Sequence, residues 1–136
     1  MFRTRWSRRT GIPQYIDLLC EELRQTAEIA KKLSLRLETI YIGGGTPTSV
    51  TDKQLEEIMS AVAENFPVQS AAEYTVEAGR PDTVTREKLE VIKRMGASRI
   101  SINPQTMNDD VQKHRQSTPP RNGRGFRLAR NAASKT

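Results

Sequence analysis

The sequence has little cysteine, histidine or aromatic content. Its 136 residues include one cysteine, Cys20, one histidine, His114, and 5% aromatic residues. A single cysteine excludes a disulfide within the chain and any metal site built from this chain's cysteines alone. Cys20 falls on the apolar stripe of a predicted helix, so we interpret it as core filling rather than as a reactive thiol. His114 has no second candidate ligand nearby and is predicted to be solvated.

Long apolar runs are also missing. Hydrophobic residues make up 35% of the chain and the mean hydropathy is −0.66, and no stretch approaches the roughly 18 apolar residues of a membrane span. The basic N-terminus, Met1–Arg9, is not followed by the apolar region of a secretory signal. The sequence therefore predicts no membrane partner. Together with the near absence of cysteine, it predicts a cytoplasmic protein.

The net charge of +6 and the isoelectric point of about 9.8 are typical of proteins that bind nucleic acid. The basic residues are concentrated at the two ends, with four in residues 1–10 and seven in residues 111–136, where no acidic residue occurs. Residues 11–110 hold 11 basic and 16 acidic residues, a net charge of −5. A nucleic-acid-binding domain would more often carry its basic stripe on the folded part, so we regard that function as the disfavoured alternative.

Hydrophobic periodicity predicts helices that alternate with short strands. Apolar residues of the first helix recur on one face, as do those of the two helices that follow. The predicted helices run from about Pro13 to Leu33, from Thr51 to Asn65, and from a cap at Thr83 or Thr85 to Gly96; the predicted strands are 37–42, 73–77 and 98–103. This alternation predicts an α/β fold with about three parallel strands, flanking helices and right-handed crossovers.

The first predicted strand, interpreted as buried, leads directly into three glycines and a Thr-Pro turn. The segment reads Glu38–Thr48, with the glycines at 43–45 and Pro47 directing the chain into the next helix. Consecutive glycines permit positive φ angles and let a ligand approach the backbone. The alternative is a tight strand-to-helix turn with no ligand.

Polar residues end the other two predicted strands. Glu77 ends the second strand, and Asn103 and Gln105 follow the third. Carboxyl ends of parallel strands meet at one sheet edge, so these groups should converge with the glycine loop, although Glu77 could instead be exposed or pair with Arg80. A carboxylate, a carboxamide and open backbone groups suit a ligand with an ammonium and hydroxyls, such as an amino acid or a ribose.

Other ligands and reactions find less support in the sequence. The glycine segment lacks the lysine of a P-loop and does not match G-x-G-x-x-G, which disfavours a nucleoside triphosphate or NAD. No nucleophile–base pair is visible, because Ser101 has no histidine partner. We therefore assign no catalytic and no metal-binding residue.

Three segments together resemble a known family. YIGGGTPT, EYTVEAGRP and SRISINPQTMND, in this order and spacing, resemble the radical S-adenosylmethionine (SAM) enzymes of the oxygen-independent coproporphyrinogen III oxidase group, over about residues 12–113. INPQT in place of the commoner GVQS-type segment is most similar to the coproporphyrinogen dehydrogenase branch. The resemblance implies a fragment of a partial (β/α) barrel.

The resemblance also implies a cofactor site. In the family the glycine motif contacts the methionyl end of SAM, a strand-end Glu and Gln contact SAM, the Gln at its ribose, and an Arg binds its carboxylate. The matching positions here are Gly43, Gly44, Gly45, Thr46, Glu77, Gln105 and, as a displaced equivalent, Arg115. The family holds a [4Fe-4S] cluster in an upstream CxxxCxxC loop that has no counterpart in this sequence, so the chain alone is expected to be inactive.

The resemblance divides the chain into three parts. Residues 1–11 are expected to be a disordered basic segment, 12–113 a partial radical SAM core, and 114–136 an irregular basic tail that reads as partly frameshifted. The expected function is that of a fragment of an enzyme that converts coproporphyrinogen III, its small-molecule substrate, to protoporphyrinogen IX in haem biosynthesis through a SAM-derived radical. A haem chaperone-like relative of the same fold is the first alternative.

Overall fold

The computed structural model describes residues 11–102, apart from the side chain of Pro81. Three helices alternate with three strands along this part of the chain, which confirms the predicted α/β class. In order they are α1 (Gly11–Lys32), β1 (Thr39–Ile42), α2 (Asp52–Asn65), β2 (Glu73–Gly79), α3 (Arg86–Arg94) and β3 (Arg99–Ile102). Residues 107–113, whose sequence is typical of the start of another helix, lie outside the described residues, as do His114 and the basic tail.

Local signals in the sequence account for the helix ends. Thr51 caps α2 in a full capping box: its side chain accepts from the backbone N–H of Gln54, and the Gln54 side chain accepts from the backbone N–H of Thr51. Thr85, rather than Thr83, caps α3 by accepting from the backbone of Lys88. Gly96 follows α3 with φ of +85°, the left-handed conformation that favours glycine after a helix.

The three strands form a parallel sheet in the order β1-β2-β3. β1 pairs with β2 from Thr39 opposite Glu73 to Ile42 opposite Val76. β2 pairs with β3 from Thr75 opposite Arg99, and the register shifts between Glu77 and Gly79. All three strands therefore end at the same edge of the sheet, as the predicted topology requires.

The prediction that the first strand is buried was wrong. Thr39 and Tyr41 of β1 are exposed, Tyr41 to 60%, whereas Ile40 and Ile42 are half-buried. The reason is that β1 is the edge strand of the described sheet and that the helices within residues 11–102 pack on one side of it. Tyr41 and Thr39 point to the other side.

The two faces of the sheet differ sharply in polarity. One face packs against the helices, and its residues are Ile40, Ile42, Tyr74, Val76, Ala78, Ile100 and Ile102. Alternation along the paired strands puts polar residues on the opposite face, namely Thr39, Tyr41, Glu73, Thr75, Glu77, Arg99 and Ser101. We call this second surface the polar sheet face.

The core lies between the apolar sheet face and the helices. Leu55, Met59 and Val62 of α2 and Val91 and Ile92 of α3 pack against Tyr74 and Val76 of β2. α1 packs on α2, with its Ile16 side chain 1% exposed and Leu23 against the core. The apolar faces predicted for the helices are thus the faces they bury. None of the helices in residues 11–102 is long and apolar enough to cross a bilayer.

Candidate functional site

The glycine loop follows β1 and has an open backbone. Gly44 and Gly45 have φ of +85° and +57°, which residues with a Cβ adopt at a cost of about 1–2 kcal/mol. A Cβ built on either residue would have no atom within 4 Å. Both conformation and surroundings therefore leave the backbone of Gly44 and Gly45 open to the approach of a ligand.

Gly43, the first glycine of the loop, lies directly against Glu77. A Cβ at Gly43 would overlap the ring of Tyr41 and lie 3.1 Å from Oε2 of Glu77. The Tyr41 hydroxyl donates to the same carboxylate oxygen, at 3.3 Å. The strand-end carboxylate and the glycine loop therefore converge, as parallel topology predicted, and they do so around a tyrosine that the sequence analysis did not single out.

The loop after β1 also rests on the end of β2. Gly79 has φ of +53°, and a Cβ there would come 3.1 Å from Cγ2 of Thr46. Glycine at position 79 thus satisfies both the backbone conformation and the close approach of Thr46. This contact places Thr46, the fourth residue of the predicted motif, beside the segment that carries Glu77.

A polar cluster around the buried Thr48 connects the loop after β1 to the loop after β2, beyond the three glycines. Thr48 is fully buried and donates to the carbonyl oxygen of Ala78 at 2.7 Å. Its hydroxyl also lies 2.5 Å from that of Thr83, and Lys88 of α3 donates to the carbonyl oxygens of both threonines. Burial lowers the pKa of the Lys88 ammonium. Sequence reasoning missed this cluster, because Thr48 is 35 positions from Thr83 and 40 from Lys88.

The polar sheet face continues from Glu77 toward the start of the strands. Glu73 accepts a hydrogen bond from Thr75 at 2.6 Å and forms an ion pair with Arg99 at 3.1 Å. The hydrogen bond from Thr75, and then Arg99, hold the pKa of the Glu73 carboxyl below its usual range. The segment EYTVE places polar residues two positions apart, at Glu73, Thr75 and Glu77, which indicates a polar face of the strand. Of these three, only Glu77 was predicted from the sequence as a site residue.

The described residues do not fit an iron–sulfur cluster. Cys20 lies on α1, half-buried, and burial followed by the nearby carboxylates of Glu57 and Asp17 raises the pKa of its thiol. Residues 11–102 contain no group of three or more cysteine, histidine or carboxylate side chains that could hold a metal ion. Two further predicted SAM contacts, Gln105 and Arg115, lie outside the described residues, as does Asn103.

The fold and the site define an α/β protein with an open glycine loop and a carboxylate at the carboxyl edge of a parallel sheet. Residues 3–135 match the sequence profile of the radical SAM superfamily. The chain belongs to this superfamily, whose members use SAM and a [4Fe-4S] cluster, and the predicted resemblance is confirmed.

Several curated relatives are similar to most of the chain. The oxygen-independent coproporphyrinogen-III oxidase-like protein HemZ of Bacillus subtilis is 43% identical over 93 residues, which are 68% of this chain and 19% of that protein. The heme chaperone HemW of the same organism is 39% identical over 101 residues, 74% of this chain and 26% of that protein. The oxygen-independent coproporphyrinogen III oxidase of Salmonella typhimurium is 30% identical over 100 residues, 74% of this chain and 21% of that protein.

The chain thus spans between 19% and 26% of the length of these three relatives. These relatives are named as an oxidase, an oxidase-like protein and a heme chaperone. What all three share with this chain is therefore the superfamily. No solved structure gave a significant match.

Proposed function

We propose that the glycine loop and Glu77 bind the methionyl end of SAM. The observation that carries the proposal is the convergence of the open loop backbone with the Glu77 carboxylate, which would lie 3.1 Å from a Cβ at Gly43. SAM has an α-ammonium and an α-carboxylate at this end. The ammonium would pair with Glu77, and open backbone amides of Gly44 and Gly45 would donate to anionic or carbonyl oxygens of the ligand.

The remaining contacts of the proposed site come from residues beyond the described part of the chain. By the family resemblance, Gln105 would contact the ribose and Arg115 the SAM carboxylate. Both follow β3 in the sequence, and β3 ends at the same sheet edge as Glu77. When bound, SAM supplies the hydrogen-abstracting chemistry of the superfamily, and the task of this chain's residues is to bind and orient it.

We propose that a small-molecule substrate approaches SAM from the polar sheet face. The described helices cover the apolar face, so Tyr41, Glu73 and Arg99 present their polar groups on the opposite side, next to Glu77. Thr75 on this side is fully buried and donates to Glu73. In a parallel sheet both faces are usually apolar and covered. A polar face adjoining a cofactor edge is therefore best explained as the wall of a polar ligand cavity.

We propose further that this chain is part of a protein of the oxygen-independent coproporphyrinogen III oxidase type, acting in haem biosynthesis. Support comes from the relatives with this name or a name like it. The chain's residues do not fit the iron–sulfur cluster, so no catalytic step is assigned to them. We expect the chain alone to bind SAM without turning over coproporphyrinogen III.

A haem chaperone is the second candidate. The observation that favours it is the similarity to heme chaperones HemW, at 39% identity over 74% of this chain in one case and 41% over 76% in another. Titration of the 136-residue chain with haem, followed by its absorption spectrum, separates the two candidates. A saturable spectral shift at one equivalent would favour the chaperone, and no shift would favour the oxidase type.

Calorimetric titration of the chain with SAM tests the primary proposal. The matched pair is Glu77→Gln, which removes the charge at the site, and Glu22→Gln, which removes one from an exposed position on α1. Loss of a charged hydrogen bond predicts SAM binding at least about tenfold weaker in Glu77→Gln. Glu22→Gln should bind as the wild type does. Failure of the wild type to bind SAM, or equal binding by Glu77→Gln, would overturn the proposal.

A further inference from the structure

Lys88 reaches from α3 to the two loops that flank the glycines and Glu77. Its ammonium donates to the carbonyl oxygen of Thr48 at 2.6 Å and to that of Thr83 at 3.2 Å. Thr48 belongs to the loop after β1, and Thr83 to the loop after β2. One side chain on a helix thus holds the backbone of both loops through charged hydrogen bonds, which are the stronger kind.

The hydroxyls of Thr48 and Thr83 connect the same two loops through their side chains. They lie within hydrogen-bond distance of one another. Thr48 donates its one hydroxyl proton to the carbonyl oxygen of Ala78, the residue after Glu77. It therefore accepts from Thr83, whose hydroxyl oxygen also lies 2.8 Å from the carbonyl oxygen of Arg80. Thr48 is fully buried, so its bond to Ala78 is shielded from water. We call Thr48, Thr83 and Lys88 the loop clamp.

The glycine loop needs such support from outside itself. Gly44 and Gly45 have no heavy atoms within 4 Å of the positions a Cβ would take, so side-chain packing at those positions does not fix these two residues. Glycine is also the residue with the most backbone freedom to lose. A flexible loop must be ordered when a ligand binds, and that cost weakens the affinity unless the loop is fixed beforehand.

We infer that the loop clamp positions the glycine loop against Glu77 and so sets the affinity of the site for its ligand. The three residues act as positioning residues, since their bonds go to loop carbonyl oxygens and to one another. This inference rests on the proposed SAM site for the identity of the ligand. The inference that the loop is ordered before a ligand binds depends only on the contacts of Thr48 and Lys88.

A purely structural role would give a different result from a positioning role. If the clamp only stabilised the fold, its removal would lower protection from hydrogen exchange throughout the core, including α2 and β2. If it positions the loop, exchange should rise mainly in peptides that cover residues 43–49. SAM affinity should then fall in proportion to the loss of local order.

The test compares two matched pairs in the 136-residue chain. Thr48→Val removes the hydroxyl at nearly constant shape, and Thr48→Ser keeps it. Lys88→Met removes the clamp's ammonium, and Lys53→Met removes an exposed one from the first turn of α2. Lys88→Met also serves if Thr48→Val does not fold. Hydrogen–deuterium exchange and SAM titration are measured on each.

We expect Thr48→Val and Lys88→Met to speed exchange at residues 43–49 and to bind SAM about tenfold more weakly, with Thr48→Ser and Lys53→Met near the wild type. Unchanged loop exchange in both clamp variants would overturn the inference. Equal SAM binding by them and the wild type would also overturn it. If the wild type does not bind SAM while the clamp variants loosen the loop, the proposed function fails and the loop-ordering role stands.

Discussion

The hydroxyl of Tyr41 lies 3.3 Å from Oε2 of Glu77, across the boundary between the edge strand and its neighbour. The same Tyr41 ring covers Gly43 so closely that a Cβ there would overlap it. These two contacts make Tyr41 the bridge between the glycine loop and the carboxylate. Partial desolvation of the exposed Tyr41 phenol, followed by the negative charge of Glu77, raises its pKa.

Tyr41→Phe tests the hydrogen bond without removing the ring over Gly43. The carboxylate of Glu77 would lose one of the donors that fix its direction. We expect SAM affinity to fall roughly 2- to 10-fold, the range of one hydrogen bond, by titration calorimetry. A larger fall than that of Glu77→Gln would mean that Tyr41 acts by some route other than Glu77.

Gly44→Ala and Gly96→Ala form a matched pair. Both glycines have φ of +85°, and neither has an atom within 4 Å of a built Cβ. Each substitution should lower the free energy of unfolding by about 1–2 kcal/mol through the same backbone cost, measured by urea denaturation. Only Gly44→Ala should also weaken SAM binding, since Gly96 lies beyond α3. Equal effects of the two variants on SAM would contradict the assignment of the loop.

Tyr74→Phe probes a buried phenol in the core. Tyr74 is 2% exposed, its hydroxyl has no hydrogen-bond partner among the described residues, and burial raises its pKa to about 12. Removing an unsatisfied hydroxyl should leave stability at neutral pH unchanged or slightly higher. A loss of more than about 1 kcal/mol would show that the hydroxyl has a partner.

The same substitution should also change how the free energy of unfolding depends on pH. Above its ordinary pKa of 10.0 the unfolded phenol loses its proton, whereas the folded phenol keeps it up to about 12. The unfolded state then binds fewer protons, so the stability of the wild type should fall across this window relative to that of Tyr74→Phe. Parallel pH profiles of the two proteins in urea denaturation would contradict the raised pKa.

Anaerobic reconstitution with iron and sulfide tests the expectation that this chain alone holds no cluster. The sequence offers one cysteine, Cys20. Its thiol has a raised pKa, so little of the thiolate that binds iron is present at neutral pH. We expect no stable cluster absorbance after desalting, and Cys20→Ala should behave like the wild type. A stable absorbance that disappears in Cys20→Ala would contradict this expectation.

Much of the fold was predictable, because its signals are local. Apolar periodicity gave the helices, Thr51 and Gln54 marked the start of α2, and alternation of helices with strands predicted the parallel sheet. That topology alone was sufficient to bring Glu77 to the glycine loop. The domain limits and the SAM-binding role of every predicted site residue, including Gln105 and Arg115, remain predictions.

The features that sequence reasoning missed depend on distant partners. The exposure of Tyr41 follows from the position of β1 at the sheet edge, which strand propensity does not report. The loop clamp joins Thr48 to Thr83 and Lys88, which have no common motif in the sequence. The ion pair between Glu73 and Arg99 depends on the register of β2 against β3. Such contacts are set by tertiary packing, so they required coordinates.

The most direct test of the central claim is a titration of the isotopically labelled chain with SAM, followed through backbone amide NMR signals. We predict saturable shifts at Gly43, Gly44, Gly45 and Glu77, with the exposed outer positions of α1 unchanged. Glu77→Gln should need a higher SAM concentration for the same shifts. No shifts in the glycine loop, or saturable shifts confined to residues away from this sheet edge, would contradict the account.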